Sequence, residues 1–335
     1  MKILINLTLF LLGCGLLIWA INSVDTEKAL ELLLDLGWGF FAVLLIYSLI
    51  TWLDTLSWKN DFPPEITTHF SNQQLWVIRQ IGEAYNTITP LGTLGGEPVK
   101  AHLLKEHCNI SIKQSLASLI IAKTTFLTAL IIFCIPGIFL IFDSAKIPED
   151  FKIVSLVGMI GFSFLIFLFF IFQVTGTLGK ICSWFAPKTK IDRLEVFLTK
   201  LVHLDQLFSV YYRSYPKRIF ISIFLALLGW ILGLVEVHLI FYFLGFSTSF
   251  TDIWIIEAMA QLVRAGSFFI PLNIGALEGG TVLIFSALGY PGSLGLATSL
   301  IGRVKQFTWV ALGLIIGWFM TFKTKNLSNW NDEKF

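Results

Sequence analysis

Lys123, Glu257, Arg264, Arg303 and Lys305 stand inside stretches otherwise made of Leu, Ile, Phe and Val. An ionisable side chain in hydrocarbon costs about 3 kcal/mol or more, so it marks a ligand or ion path unless it is structurally paired. Cations in this setting hold a phosphate or a carboxylate. Carboxylates orient those cations or accept an amine. Glu257, Gln261 and Arg264 follow one another at i, i+4 and i+7, which puts them on one helical stripe. Arg303 and Lys305, with Gln306 beside them, require partners such as Glu278 or an anionic ligand. Lys123, beside Thr124, Thr125 and Thr128, either snorkels to the interface or faces a site. Asp54 faces Lys59 or Arg79, or is a plain interfacial carboxylate. Glu236 and His238, two residues apart, point to nearly opposite helix faces and form no site by themselves.

A second group of polar residues lies in YNTITPLGTLGGEPVK, Tyr85 to Lys100. Pro90 ends an incoming helix, having no N–H and disfavouring helix in the residue before it. Gly92, Gly95 and Gly96 permit a turn. Pro98 suits the first turn of an outgoing helix, with Glu97 near its N-cap and Lys100 one turn in. The N–H groups there form an anion site, provided that Glu97 is drawn off by Lys100 or Lys123. Pro271-Leu272-Asn273-Ile274-Gly275-Ala276-Leu277-Glu278 lays onto Pro90–Glu97 with proline and glutamate in register. Glu83 and Arg264 precede their prolines at the same offset. Lys123 and Arg303 follow their glutamates at offsets that differ by one residue.

Other chemistries find no support. The five histidines lack HExxH spacing, and the four scattered cysteines form neither a disulfide framework nor a CxxC pair. GTLGGE lacks the Walker lysine, and no G-x-S-x-G elbow occurs. No catalytic residue, metal or cofactor is expected. A formal charge of +2 gives no reason to expect nucleic acid.

The elements that hold these residues follow from composition. With 56% hydrophobic and 14% charged residues, and a mean hydropathy of +0.78, the chain is far from the ~25% charged content of soluble domains. Apolar runs predict six spans: Ile3–Ile21, Gly37–Ser57, Ser115–Ile141, Ile153–Val174, Ile219–Phe246 and Leu294–Phe322. Leu11-Leu12-Gly13-Cys14 loosely resembles a lipoprotein cleavage box, but the run continues to Ile21, the length of an anchor. Leu75–Leu104 and Ile253–Leu288 are apolar but broken by Pro and Gly. The predicted fold class is an all-α polytopic membrane protein, six spans plus two re-entrant hairpins in an inverted repeat. Residues 1–325 form one integral membrane domain, followed by a polar tail over 326–335. Basic residues in Lys100–Lys113, Thr175–Arg218 and Lys323/Lys325 place both termini in the cytoplasm, and the acidic Asn22–Leu36 and Phe142–Lys152 outside. The first hairpin then dips in from the cytoplasm and the second from outside, which points to a site near the midplane.

RQIGEAYNTITPLGTLGGEPVKAHLL, the later PLNIGALEGG and the preceding LDTLSWK resemble the lysylphosphatidylglycerol synthase transmembrane-region family, also described as flippase-like. The likeness runs from about Leu4 to Phe322 and is nearest to stand-alone members associated with hopanoid biosynthesis. It implies movement of a charged lipid between leaflets of a bacterial cytoplasmic membrane. The soluble aminoacyl-transferase domain of one relative has no counterpart here, so lysine transfer is not implied. Functional weight falls on Asn86, Pro90, Gly95, Gly96, Glu97, Lys100 and Glu278. The expected substrate-binding set is Asn86, Glu97, Lys100, Lys123, Arg264, Glu278, Arg303 and Lys305, with Pro90, Gly95, Gly96, Pro271 and Gly275 forming the hairpins. The expected partner is a membrane lipid with a phosphate head group, with homo-oligomers or lipid-synthesis enzymes as further possibilities. The chain is expected not to be an enzyme. The alternative is a membrane-embedded lipid-modifying enzyme, or a membrane subunit of one.

Overall fold

A 12-residue helix is about 18 Å long and falls short of a ~30 Å hydrocarbon core, whereas 21 residues suffice. Both kinds occur in this chain. The computed structural model describes residues 15–89, 95–185 and 192–332, and all regular elements among them are helical. After α1 (residues 15–22) come α2 (Thr26–Asp35), α3 (Gly39–Lys59), α4 (Asn72–Ile88), α5 (Glu97–Cys108) and α6 (Ile112–Asp143). Then follow α7 (Glu149–Thr175), α8 (Thr177–Phe185), α9 (Asp192–Ser214) and α10 (Pro216–Phe243). The chain ends in α11 (Phe250–Gly266), α12 (Ala276–Ala287) and α13 (Gly292–Asp332).

Five helices are long and apolar enough to cross a membrane: α3, α6, α7, α10 and residues Gly292–Met320 of α13. They carry five of the six predicted spans. Most of the sixth, Ile3–Ile21, and Cys14 lie outside the described residues. The acidic Asn22–Leu36 connection contains the amphipathic α2, which buries Ala29 and Leu32. The predicted polar connection Thr175–Arg218 is largely helical, with α8 packing on α9.

The two broken segments are helical hairpins of matching dimensions. α4 and α11 each have 17 residues, and α5 and α12 each have 12. Ser71 and Ser249 cap the incoming helices, each accepting from the backbone N–H three residues on. α3 and α10 lie side by side and antiparallel. Arg218 at the start of α10 donates to Lys59 O at the end of α3 (2.8 Å), while Phe243 covers Gly39 at the other ends. Lys59 Nζ also donates to Asn72 Oδ1 (2.7 Å), so α4 begins at the Lys59 end and α11, which follows Phe243, at the opposite one. The hairpins therefore enter from opposite ends of the bundle, as an inverted repeat requires.

Packing between halves is reciprocal: α4 leans on α13, and α11 on α6. Without a hydrophobic drive in lipid, such contacts rely on small residues that let backbones approach. A Cβ on Gly313 of α13 would stand 2.6 Å from Gln80 O and 2.9 Å from Ala84 Cβ of α4, and Ile81 lies over Gly317. On the other side Gly137 of α6 lies under Ala258 and Trp254 of α11. Beside it Pro136 removes one N–H from the helix ladder, and Trp254 Nε1 donates to Phe133 O (3.1 Å). The main apolar core, with Phe133, Phe241, Ile253, Ile255 and Phe285, surrounds the second hairpin. A smaller one around Phe62, Leu75, Ile78 and Leu104 surrounds the first.

Gly313→Val should force α4 away from α13 and lower the thermal stability of the detergent-solubilised protein, at an overpacking cost of about 1–3 kcal/mol. Gly302→Ala on the same helix, where a Cβ meets nothing within 4 Å, should leave the melting temperature unchanged.

Candidate functional site

At the first tip α4 ends at Ile88 and Thr89 is extended (φ −88°, ψ 144°), the conformation forced on a residue that precedes proline. Pro90 itself, with Leu91–Leu94, lies outside the described residues. α5 begins at Glu97 with Gly96 as N-cap and Pro98 in its first turn, as predicted. Its Gly96 N–H donates to Asn86 Oδ1 of α4 (2.6 Å), so a side-chain amide, not an anion, satisfies that group. Asn86 Nδ2 in turn reaches Glu83 Oε2 (3.3 Å) and Glu97 Oε1 (3.4 Å). Lys100, 5% exposed, bridges Glu83 Oε1 (2.7 Å) and Glu97 Oε1 (3.1 Å). Its methylenes lie on Gly82, whose missing side chain makes room for them. Of the two partners foreseen for Glu97, the structure selects Lys100.

The second tip uses other means. Pro271–Asn273 forms a single 3₁₀ turn, in which Leu272 (φ 56°) and Asn273 (φ 51°) are left-handed, a strained state for leucine. Arg303 of α13 holds this backbone in place, donating through Nη1 to Leu272 O (2.8 Å) and through Nη2 to Asn273 O (3.3 Å). Its Nε donates to Glu278 Oε1 (2.7 Å), while Glu278 Oε2 accepts from Gly275 N (2.7 Å). Gly275, at φ 77°, occupies the position that only glycine takes easily.

The remaining charges are paired as well. Lys305 meets Glu236 of α10 in a buried ion pair and lies 4.4 Å from the Tyr47 ring centroid of α3. Arg79 of α4 meets Asp54 of α3 at 2.6 Å. Along α11, Gln261 Nε2 donates to Glu257 Oε1 (2.6 Å) and Arg264 reaches the same oxygen at 3.4 Å. Six carboxylates (Asp54, Glu83, Glu97, Glu236, Glu257, Glu278) thus balance six cations (Arg79, Lys100, Lys123, Arg264, Arg303, Lys305). Among the described residues, Lys123 alone of these makes no ion pair. It is exposed, and its charge acts on Glu83.

Open surface is concentrated on one subset. Glu83 is 42% exposed, Arg264 41% and Glu97 22%, although their helices are packed within the bundle. Glu97 Oε2 is buried and has no hydrogen-bond partner among the described residues. α6 and α11 touch at Phe133/Trp254 and Gly137/Ala258. Lys123 on α6, Arg264 on α11, Glu83 on α4 and Glu97 on α5 are the charges that keep open surface. Arg303, Glu278 and Lys305, predicted beside them, are occupied in closing the second tip and tying α13 to α10. Pro271 and Gly275 build that tip, and Gly95 and Gly96 the first.

Four participants are not legible as site residues in the sequence. Glu83 reads only as a repeat position, Glu236 forms no site with His238, Arg79 is one of two possible partners for Asp54, and Tyr47 carries no signal of its own. For Glu236 the available signal is a carboxylate deep in the mostly apolar α10.

Fold and charges define a multi-pass helical membrane protein made of two inverted halves, each with a broken hairpin. The chain belongs to the lysylphosphatidylglycerol synthase TM region family, whose model matches residues 3–315. A UPF0104 membrane protein of Methanothermobacter thermautotrophicus is 26% identical over 303 residues, covering 88% of each chain. A second match of the same description and organism is 33% identical over 108 residues, 31% of this chain and 32% of the relative. No solved structure matches the chain.

Lys305→Met and Glu236→Gln should each leave a buried charge unpaired and destabilise the protein by about 3–5 kcal/mol. The double variant should recover most of that loss, giving a large coupling in a double-mutant cycle of thermal unfolding.

Proposed function

We propose that this chain is a flippase-type lipid transporter that moves an anionic or zwitterionic phospholipid between the leaflets of a cytoplasmic membrane. One observation carries the reading: two broken hairpins enter from opposite ends of the bundle, and Glu83, Glu97, Arg264 and Lys123, on the hairpins and on α6, keep exposed polar surface; the reading takes the space between the tips as the lipid path. In this reading Lys123 and Arg264 hold the head-group phosphate. Glu97 Oε2, which has no partner among the described residues, accepts from an amine or hydroxyl of the same head group. A zwitterion fits best, because the surrounding charges already cancel and a neutral ligand leaves them balanced. Lys100 and Asn86 position Glu97, while Arg303 and Glu278 keep the second tip rigid. The termini face the cytoplasm, following the basic Lys100–Lys113 and Thr175–Arg218 segments. Exposure of the space alternates as one half rocks against the other. Membership in a family named for the membrane region of a lipid-modifying protein agrees with a lipid substrate.

Reconstitution into liposomes with fluorescent phospholipids of several head groups tests this. The expected result is leaflet exchange faster than in empty vesicles, lowered about tenfold by Glu97→Gln or Lys123→Ala, as loss of one charge-assisted hydrogen bond of ~1.5 kcal/mol implies. Equal rates in empty and protein-containing vesicles for every head group sink the proposal. A new lipid species in the mass spectrum, lost in Glu97→Gln, would instead make the protein a lipid-modifying enzyme.

A further inference from the structure

A second buried polar cluster lies away from the tips, at the Lys59 end of the molecule. Asp61 follows α3 and is 0% exposed. Its Oδ2 lies 3.0 Å from Ser222 Oγ of α10 and 3.4 Å from Thr125 Oγ1 of α6. The Ser222 and Thr125 hydroxyl oxygens are 3.0 Å apart. Thr125 Oγ1 reaches Ala122 O at 3.0 Å, and Ser57 Oγ of α3 reaches Ser222 O at 2.9 Å. Asp61 Oδ1 has no hydrogen-bond partner among the described residues.

The charged and titratable neighbours do not neutralise it. Arg218 of α10 donates to Lys59 O and Asn60 O instead of to the carboxylate. Lys59 Nζ is engaged by Asn72. Tyr211 of α9 donates to the carbonyls of Asn60 and Phe62, and Tyr212 to Gln173 Oε1 of α7. A fully buried carboxylate without a cation costs several kcal/mol if ionised.

Counting protons discriminates between the two forms. If Asp61 is ionised, Ser222 and Thr125 both donate to Oδ2, and Oδ1 remains a charged oxygen with no donor. If Oδ2 carries a proton, a complete chain results: Asp61 Oδ2–H to Ser222 Oγ, Ser222 to Thr125 Oγ1, and Thr125 to Ala122 O. Each hydroxyl then donates once, and Ser57 independently donates to Ser222 O. Hydroxyls already in mutual contact at 2.9–3.0 Å leave no gap among them for a metal ion, whereas a proton needs none.

We propose that Asp61, with Ser222 and Thr125, is a proton-binding site that is filled in this conformation and couples lipid movement to a proton gradient. The coupling rests on the transport reading above; the proton site itself does not. The step is a simple exchange, in which the carboxylate takes H⁺ from hydronium and releases one water. The neutral cluster draws α3, α6 and α10 together at this end. An ionised Asp61 needs water, and water enters only where those helices part. Burial accordingly pushes the Asp61 carboxyl well above the usual carboxylate range.

Infrared spectroscopy of the purified protein reads the site without any transport. A protonated-carboxyl carbonyl band that shifts in D₂O and titrates above the ordinary range is expected in wild type and absent in Asp61→Asn. Ser222→Ala, which removes one donor to the carboxylate, should raise the midpoint of that titration. In proteoliposomes an imposed pH gradient should change the wild-type lipid flux several-fold and leave that of Asp61→Asn unaltered. A missing band overturns the proton assignment. So does a sodium-dependent rise in melting temperature that Asp61→Asn lacks. A wild-type flux indifferent to the gradient overturns the coupling. A titrating band with no lipid movement in any vesicle overturns the transport reading, and the coupling with it.

Discussion

Every backbone N–H and C=O placed in hydrocarbon has to find a partner inside the protein or in a water-filled recess. Two interrupted hairpins inside an apolar bundle put that demand at two places, and much of the polar chemistry of the chain is the response. At the first tip Asn86 satisfies Gly96 N–H. At the second, Arg303 and Glu278 satisfy two carbonyls and an N–H around left-handed Leu272 and Asn273. The intramembrane charges are therefore divided. Some hold the tips in shape, Lys305–Glu236 and Arg79–Asp54 tie helices together, and Lys123 stays exposed without an ion pair among the described residues.

The halves share geometry but not chemistry. Hairpin lengths and N-caps correspond, yet the first hairpin is closed by contacts within itself, Glu83–Lys100–Glu97, and the second by α13. At the crossing of α4 and α5 Gly82 yields space to Lys100. At the crossing of α11 and α12 Gly280 yields space to Val263, 2.9 Å from where its Cβ would stand. The same close approach thus admits a cation in one half and an aliphatic side chain in the other, which leaves the first tip the more polar of the two.

Features with a local cause were legible in the sequence. Pro90 set the end of α4 and the extended Thr89, Pro98 the start of α5, and the i, i+4, i+7 spacing the Glu257–Gln261–Arg264 stripe. The inverted arrangement followed from loop charges together with the match between Pro90–Glu97 and Pro271–Glu278. Contacts between distant segments were not legible. Glu236 and Lys305 are 69 positions apart and meet only because α10 and α13 cross. Asp61 reads as an ordinary loop aspartate until α6 and α10 close over it. The amphipathic helices α8 and α9 were hidden because polar composition marks a segment as outside the membrane without revealing its conformation.

Both hairpins bear on one helix. α13 meets the second tip at Arg303 and α4 at Gly313, about 15 Å farther along. Between them Trp309 is wedged against Tyr47 and Trp76, with ring centroids 5.4 and 6.3 Å away. A long helix is stiff, so the arrangement is that of a seesaw with an aromatic fulcrum. Any tilt of α13 about Trp309 that presses on one hairpin draws away from the other. A displacement of one hairpin and of the other would then be a single motion, with no need for a signal to pass between the halves.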